Sequence, residues 1–187
     1  MADPIETSRL RLRPLVPEDL GAMHAIHSRA DVVRWLYWEP RTEAEVRETL
    51  TAQITRTRDA PETGVAFAVE LLASGEMLGH VSLMVEVPEQ RQGECGFIFH
   101  PGHQGQGYAT EAARALLALA FESYGLHRVF GRLEARNVAS ARVLERLGMR
   151  REAHLVENEW VKGEWQSELV YALLEREWRA LSGPGSA

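Results

Sequence analysis

The chain turns at Gln104-Gly105-Gln106-Gly107-Tyr108-Ala109-Thr110, between an apolar segment and an amphipathic helix. The apolar segment is Cys95-Gly96-Phe97-Ile98-Phe99, and a helix is predicted over 107–124 because apolar residues recur there at helical spacing. At a helix N-terminus, free backbone N–H groups and the helix dipole favour an anion. Since Gly105 and Gly107 carry no Cβ, the backbone can approach a phosphate closely. The glycine turn (residues 104–110) is therefore predicted to bind a pyrophosphate.

Two common nucleotide-binding loops are excluded by the residues of the turn. Gly-Lys-Ser/Thr is missing, and the dinucleotide fingerprint Gly-x-Gly-x-x-Gly fails because position 110 is Thr. The pattern present is Gln104-x-x-Gly107-x-Ala109. It resembles the Gln/Arg-x-x-Gly-x-Gly/Ala signature of the GNAT superfamily of N-acetyltransferases, which bind the pyrophosphate of coenzyme A.

Further segments carry the same resemblance in the family's order. Gly107–Ala112 is similar to the form found in the branch related to ribosomal-protein alanine N-acetyltransferases (RimJ/RimL-like). The segments Asn137–Ser140 and Val143–Met149 resemble that branch's second cofactor-side motif, and Glu6–Arg13 resembles its first strand. The resemblance covers nearly the whole chain, which is thereby identified as a member of this superfamily.

The predicted elements give an α/β (α+β) fold. Strands before helices in the centre, and runs of strands at each end, indicate one mixed sheet with helices on both sides. The GNAT resemblance implies a mostly antiparallel sheet of about seven strands. Strands are predicted around Leu10 and Leu12 and over 65–72, 77–87, 93–99, 128–135, 150–160 and 166–174. Helices are predicted from 17, after Pro40, and over 107–124 and 139–147. Residues 1–181 are expected to form a single acyltransferase domain, and 182–187 a disordered tail.

Composition excludes several classes of protein. The 187 residues carry a net charge of −6 and no long basic run, which argues against a nucleic-acid partner. The lone Cys95 lies in an apolar strand and is expected to be a buried, inert thiol. No signal peptide or apolar run of spanning length is present, so a soluble, cytoplasmic protein without a membrane partner is expected.

The resemblance implies acetyl-CoA as the donor and assigns residues to hold it. Backbone N–H groups of the glycine turn would hold the pyrophosphate: Gln104, Gly105, Gln106, Gly107, Tyr108, Ala109 and Thr110. Phe97, Ile98 and Phe99 would offer backbone groups to the pantetheine arm, where this strand and the strand at 128–135 part. Asn137 matches an asparagine that binds the pantetheine amides, and it also suits a helix N-cap. Arg142 and Arg146 are read as solvated helix residues.

Ser140 matches the position from which this branch is thought to protonate the departing thiolate. A serine in the first turn of a helix is also a common cap. Many family members use a tyrosine a few residues later, where this chain has Leu144. Three residues stay open as the base: Glu94, Glu159 and His80. Each of them has a plainer interpretation as a surface carboxylate or a hydrogen-bonded sheet histidine.

Large aromatic residues mark the expected acceptor side. They are Trp35, Tyr37, Trp38, Trp160 and Trp165. Aromatic residues line clefts well because they bury much area with few rotamers. Core packing or a dimer contact is the competing explanation. The seven histidines show no paired ligand spacing backed by a third ligand, so no metal site is expected.

These inferences predict an N-acetyltransferase that moves an acetyl group to a primary amine by direct attack in a ternary complex. The acceptor is a protein N-terminus or a small-molecule amine. Two alternatives stay open: a non-catalytic acyl-CoA-binding module, and transfer of another acyl group such as succinyl. Many members of the family form dimers, so a homodimer is expected.

Overall fold

The computed structural model describes residues 3–85 and 88–182. Its eight strands within these residues are β1 (Ile5–Glu6), β2 (Leu10–Pro14), β3 (Gly64–Leu71), β4 (Met77–Met84), β5 (Gln92–Phe99), β6 (Arg128–Glu134), β7 (Arg150–Val161) and β8 (Glu164–Leu174). The same described residues contain six α-helices, which are α1 (Leu20–His27), α2 (Ala30–Val33), α3 (Glu43–Asp59), α4 (Tyr108–Ala118), α5 (Val138–Arg146) and α6 (Glu175–Ser182). None of the described helices is long and apolar enough to cross a membrane.

The strands form one sheet in the order β1-β2-β3-β4-β5-β6-β8-β7. Among the described residues, β5 and β6 pair in parallel and the other neighbours pair antiparallel. This confirms the predicted mixed, mostly antiparallel α/β sheet. The strand count exceeds the expected seven because the two-residue β1 adds to the edge.

Each face of the sheet has its own core. Side chains alternate along β3, so Phe67 joins a large cluster with α4 residues such as Leu116, whereas Ala68 joins a smaller cluster with Met23 of α1 and Leu50 of α3. We call these two sides the α4 face and the α3 face. Helices therefore cover both faces, as predicted.

The parallel pairing between β5 and β6 is short. Its register runs through three pairs and reaches Glu94 opposite Phe130. Beyond that pair, β5 stays bonded to β4 as far as Phe99, and β6 stays bonded to β8 as far as Glu134. The two strands therefore part as predicted, and we call the opening between them the wedge.

Several boundaries differ from the sequence-based expectations. The helix predicted over 107–124 is α-helical from Tyr108 to Ala118 and continues as one wider π turn over Leu119–Ser123. Helices α2 and α6 were not predicted, because α2 is a single turn and α6 directly follows a strand. Residues 86 and 87 of the predicted strand lie outside the described residues. Of the predicted tail, Ser182 ends α6, and 183–187 lie outside the described residues.

Candidate active site

The glycine turn has the geometry of an anion-binding helix N-terminus. Gly105 and Gly107 adopt φ angles of +78° and +82°, and Gly107 is the N-cap of α4. No side chain caps this end of the helix. The N–H groups of Tyr108, Ala109 and Thr110 lie in the first turn, where the helix supplies no acceptor of its own. These donors can bind a phosphate oxygen.

Arg9 holds the glycine turn from outside. Its Nη1 donates to the carbonyl of Gln106 at 3.0 Å, and its Nε donates to the carboxylate of Glu111 at 2.8 Å. Its guanidinium lies 4.6 Å from the centre of the Tyr108 ring. Glu111 also accepts from the Thr7 hydroxyl at 2.6 Å. The N-terminal segment therefore fixes the first turn of α4 and places a positive charge beside it.

A groove of about 680 Å³ runs along α4 from the glycine turn toward α6. Thr110, Arg114 and Arg146 line it, and Trp178 closes its far end. Arg114 Nη2 donates to the carbonyl of Arg146 at 3.2 Å. Arg146 is exposed, as expected, but it borders this groove together with Arg114. Two guanidinium groups near the glycine turn add to its preference for anions.

The wedge presents one edge of β5. Phe97 and Phe99 pack partly against the core of the α4 face, while Ile98 alternates to the other side. One edge of this segment bonds to β4, and the opposite edge faces the wedge. That edge can pair with the amides of an extended ligand as an added strand would. A side chain at Gly131 of β6 would meet Leu144 at 3.2 Å, so glycine there allows α5 to pack closely.

Asn137 and Ser140 meet at the start of α5. The Asn137 side-chain oxygen accepts from the Ser140 backbone N–H at 3.1 Å, which makes Asn137 the N-cap of α5. Its amide NH₂ is free of that bond and keeps two donors. The hydroxyl of Ser140 belongs to a half-buried residue in the first helical turn. Leu144 is 2% exposed and supplies no hydroxyl at the position where relatives carry tyrosine.

The two carboxylates proposed as bases have different surroundings. Glu94 lies on β5 at the last parallel pair, and both of its oxygens accept from the Arg132 guanidinium, at 3.2 and 2.8 Å. Glu159 is half-buried on β7, opposite Gln166. The alternation of β5 and β6 places Glu94 and Arg132 on the α3 face.

His80 is a buried residue that pairs with another histidine. It is 4% exposed, and its Nε2 lies 2.9 Å from Nε2 of His27. Burial lowers the pKa of His80 to about 3 and that of His27 to about 4. A buried, weakly basic imidazole is unsuited to receive the proton of an amine, so we leave His80 out of the proposed chemistry. Among the described residues, no group of three or more His, Cys, Asp or Glu side chains is placed to hold a metal ion.

The predicted acceptor aromatics do not form one wall. Tyr37 is 54% exposed and donates its hydroxyl to Glu168 Oε2 at 2.9 Å. Trp38 covers His27, with ring centres 6.0 Å apart. Trp35 contacts the guanidinium groups of Arg34 and Arg136, which lie 4.5 and 5.2 Å from its ring centre.

Trp160 lies on β7, apart from the acceptor aromatics predicted at residues 35–38. It packs edge-to-face on Trp165, its register partner, at 5.4 Å. Alternation along β8 puts Trp165 on the same face as Leu169, which packs into the α4-face core. The structure therefore separates Trp160 from Tyr37.

Residues 9–150 match the acetyltransferase (GNAT) domain family. The chain belongs to the GNAT acetyltransferase family. The match covers the glycine turn, both strands of the wedge and the Asn137 cap.

Relatives of this GNAT protein agree over nearly its whole length. The uncharacterized N-acetyltransferase YnaD of Bacillus subtilis is 30% identical over 93% of this chain and 98% of its own. The putative ribosomal N-acetyltransferase YdaF of B. subtilis is 29% identical over 90% of this chain and 93% of its own. The relative YdaF agrees with the predicted kinship with ribosomal-protein acetyltransferases, and YnaD supports N-acetyltransferase membership only.

Solved GNAT structures share the fold. An acetyltransferase of this family from Bacillus anthracis matches with a TM-score of 0.85 and 30% identity, over 94% of this chain and all of its own. Spermidine N-acetyltransferase from Vibrio cholerae, solved with CoA and spermine, matches with a TM-score of 0.80 and 25% identity. The match covers 92% of this chain and 99% of the V. cholerae chain. The protein is thus an acyl-CoA-dependent N-acyltransferase.

Sequence reasoning missed two parts of this GNAT site. Arg9 looked like one of several solvent-facing arginines of the first strand, since nothing local indicates a contact with Glu111, 102 positions away. Glu168 looked like an ordinary strand residue, yet it is 6% exposed and bonded to Tyr37, 131 positions away. A charged residue inside the apolar strand 166–174 was the available signal.

Proposed function

We propose that this GNAT protein transfers an acetyl group from acetyl-CoA to a primary amine by direct attack in a ternary complex. The observation that carries the proposal is the uncapped N-terminus of α4, set behind two glycines at the end of a strand that parts from its neighbour. Free helix N-terminal amides suit a diphosphate, and an unpaired strand edge suits an arm that contains amides.

The donor residues follow from this geometry. Gln104 to Thr110 would hold the pyrophosphate, and the wedge edge of Phe97 to Phe99 would hold the pantetheine arm. The free donors of the Asn137 amide are available to the same arm. Arg114 and Arg146 would add positive charge along the groove.

The acceptor nitrogen forms a bond to the acyl carbon while the carbon–sulfur bond breaks. An ammonium substrate must lose two protons overall: one leaves through a base, and the other ends on the thiolate sulfur. We assign the second transfer to Ser140, and we keep Glu94 and Glu159 as candidate bases. Cys95 is 6% exposed, and burial raises the pKa of its thiol to about 12, so it is a poor nucleophile for a covalent route.

The acceptor is proposed to be a protein N-terminus or a small-molecule amine. The name of YdaF, a putative ribosomal N-acetyltransferase, supports a protein acceptor, and the name of the V. cholerae spermidine N-acetyltransferase supports a small-molecule amine. We propose that the acceptor binds on the side of Tyr37, Trp35 and Trp38. Tyr37 is bonded to Glu168 of β8, whereas Trp160 lies on the other face of the β7–β8 hairpin. The proposed homodimer continues to rest on the family resemblance, and the proposed cytoplasmic location on the sequence pattern alone.

Calorimetric titration of CoA tests the donor site with a matched pair of glycines. Gly105 and Gly75 both have positive φ, at +78° and +71°, and an added Cβ would meet nothing within 4 Å at either position. Gly105→Ala and Gly75→Ala therefore carry similar backbone strain, but only the first adds a methyl group to the glycine turn. We expect Gly105→Ala to weaken CoA binding about tenfold and Gly75→Ala to leave it unchanged. Equal effects, or no binding by the parent protein, would refute the site.

Turnover tests the reaction itself. Thiol release from acetyl-CoA is measured with a panel of alkylamines, polyamines and peptides. Release with at least one amine is expected. Tight CoA binding without turnover on any amine would instead identify an acyl-CoA-binding module. Faster release from succinyl-CoA than from acetyl-CoA would identify a different acyl group.

A further inference from the structure

The contact between Tyr37 and Glu168 joins two parts of the chain at the acceptor side. The Tyr37 hydroxyl donates to Glu168 Oε2 at 2.9 Å. Burial and the neighbouring carboxylate raise the pKa of Tyr37, so its hydroxyl stays protonated as a donor. Glu168 is 6% exposed, whereas Tyr37 is 54% exposed. The ring therefore forms a partly exposed cover over a buried carboxylate.

This pair lies beside the wedge. Glu168 of β8 is in register with Glu134 of β6, two residues from Arg132. The alternation of side chains along β6 and β8 places Arg132 and Glu168 on the α3 face, where Glu94 also lies. The row Glu94, Arg132, Glu168 thus crosses the sheet where β5 and β6 part, on the face opposite α4.

Glu168 differs from the neighbouring carboxylates in its partners. Both oxygens of Glu94 accept from Arg132, and both oxygens of Glu134 accept from Arg136. Glu168 is held by a neutral hydroxyl. The hydrogen bond to Glu94 and, after it, the charge of Glu168 raise the pKa of Arg132, but none of the ion pairs within 4 Å among the described side chains involves Glu168. A buried carboxylate without a direct cation is costly, and a ligand cation would relieve that cost.

We propose that Glu168, positioned by Tyr37, binds the ammonium group of the acceptor and takes its first proton. This inference rests on the proposed function and names its base. The ammonium gives one proton to the Glu168 carboxylate and becomes a neutral amine, whose lone pair forms the bond to the acyl carbon. The carbon–sulfur electron pair leaves with sulfur, which receives the second nitrogen proton through Ser140. Glu168 returns its proton to solvent when the product leaves.

The pair also selects a class of acceptor. A carboxylate binds an alkylamine that is ionised at neutral pH, and the face of an adjacent tyrosine attracts the same cation. An arylamine is neutral at pH 7 and needs neither the ion pair nor the first proton transfer. The acceptor is therefore an alkylammonium.

Glu168→Gln keeps the shape and removes the charge. We expect kcat/KM for an alkylamine to fall at least tenfold at pH 7, and the deficit to shrink as pH rises and the free amine forms in solution. The KM for acetyl-CoA should stay constant, and turnover of an arylamine should change less than twofold. Tyr37→Phe should raise the alkylamine KM severalfold.

Glu122→Gln is the matched control. Glu122 also accepts a hydrogen bond from an aromatic side chain, from Trp178 Nε1 at 3.1 Å, but it lies on the π turn after α4. It should retain kcat/KM within twofold. Glu168→Asp keeps the charge and should recover part of the activity if the Gln variant folds poorly, and CoA titration reports folding in every variant. Equal loss for alkylamine and arylamine, or a loss that persists at high pH, would overturn the role of Glu168. A parent protein that binds CoA but acetylates no amine would overturn the proposed function instead.

Discussion

Arg9 supports the glycine turn through three kinds of contact. It bonds to a backbone carbonyl of the turn, pairs with Glu111 in the first turn of α4 and lies against the Tyr108 ring. An exposed ion pair alone contributes little to stability. Here the same guanidinium fixes the backbone that carries the phosphate donors, so its main effect should be on cofactor binding.

Replacement of Arg9 by Ala should weaken CoA binding about tenfold, which corresponds to the ~1.4 kcal/mol expected for one charge-assisted contact. Calorimetric titration measures the change. Arg11→Ala is the control, because Arg11 is also exposed on the first strands but bonds to Glu6. If both variants bind CoA equally, Arg9 has no part in shaping the turn.

Ser140→Ala should lower kcat more than it raises the KM for acetyl-CoA. The hydroxyl is assigned to the departing thiolate, whereas the Asn137 cap binds the backbone N–H of residue 140 and survives the change. General acid catalysis commonly contributes a factor of about 10² to 10⁴. Steady-state kinetics with the preferred amine decide the matter, and an unchanged kcat would remove Ser140 from the mechanism.

Helix α6 packs against the core of the α4 face. Its Trp178 is 5% exposed, stacks on Phe121 at 5.8 Å and donates from Nε1 to Glu122 at 3.1 Å. Both partners belong to the π turn that follows α4. The wide turn and the last helix thus stabilise each other through contacts that local spacing does not show.

Trp178→Ala should destabilise the fold by about 3 to 5 kcal/mol, as expected for removing a buried tryptophan. Trp178→Phe keeps the ring stacking and loses the hydrogen bond, and should cost only about 1 kcal/mol. Urea unfolding of the three proteins gives both values. Similar costs for the two variants would mean that the hydrogen bond, and not packing, holds α6.

The sheet as a whole is joined to α1 through the buried pair His27 and His80. Their pKa values are lowered to about 4 and about 3, below the ordinary value of 6.5. The unfolded chain therefore binds more protons than the folded chain between about pH 4 and pH 6.5. The contribution of the two histidines to the free energy of unfolding is therefore fully present above that window. It is lost as the pH decreases through the window.

Unfolding free energy should drop between pH 6.5 and pH 5 by up to roughly 1 kcal/mol per pH unit for each of these histidines. Carboxylates whose pKa is lowered, such as Glu111, titrate below this range and do not produce the effect. Urea unfolding at several pH values measures it. His154→Gln, at an exposed site, should leave the slope intact. Constant stability from pH 6.5 to 5 would contradict the neutral, buried pair.

The amino-acid sequence determined the local features of this protein. Spacing and glycines placed the strand, the turn and the start of α4 within a residue or two, because helical period and positive φ depend on neighbours in the chain. Motif resemblance added the family and the order of the elements.

Only the tertiary structure decided which side chains meet. Arg9 with Glu111, Tyr37 with Glu168 and His27 with His80 are pairs separated by 53 to 131 positions. Those pairs follow from strand register and from which helix covers which face, and a shift of one residue in register would send each strand side chain to the other face. The acceptor side is built from such contacts, and so its chemistry became visible only in the folded molecule.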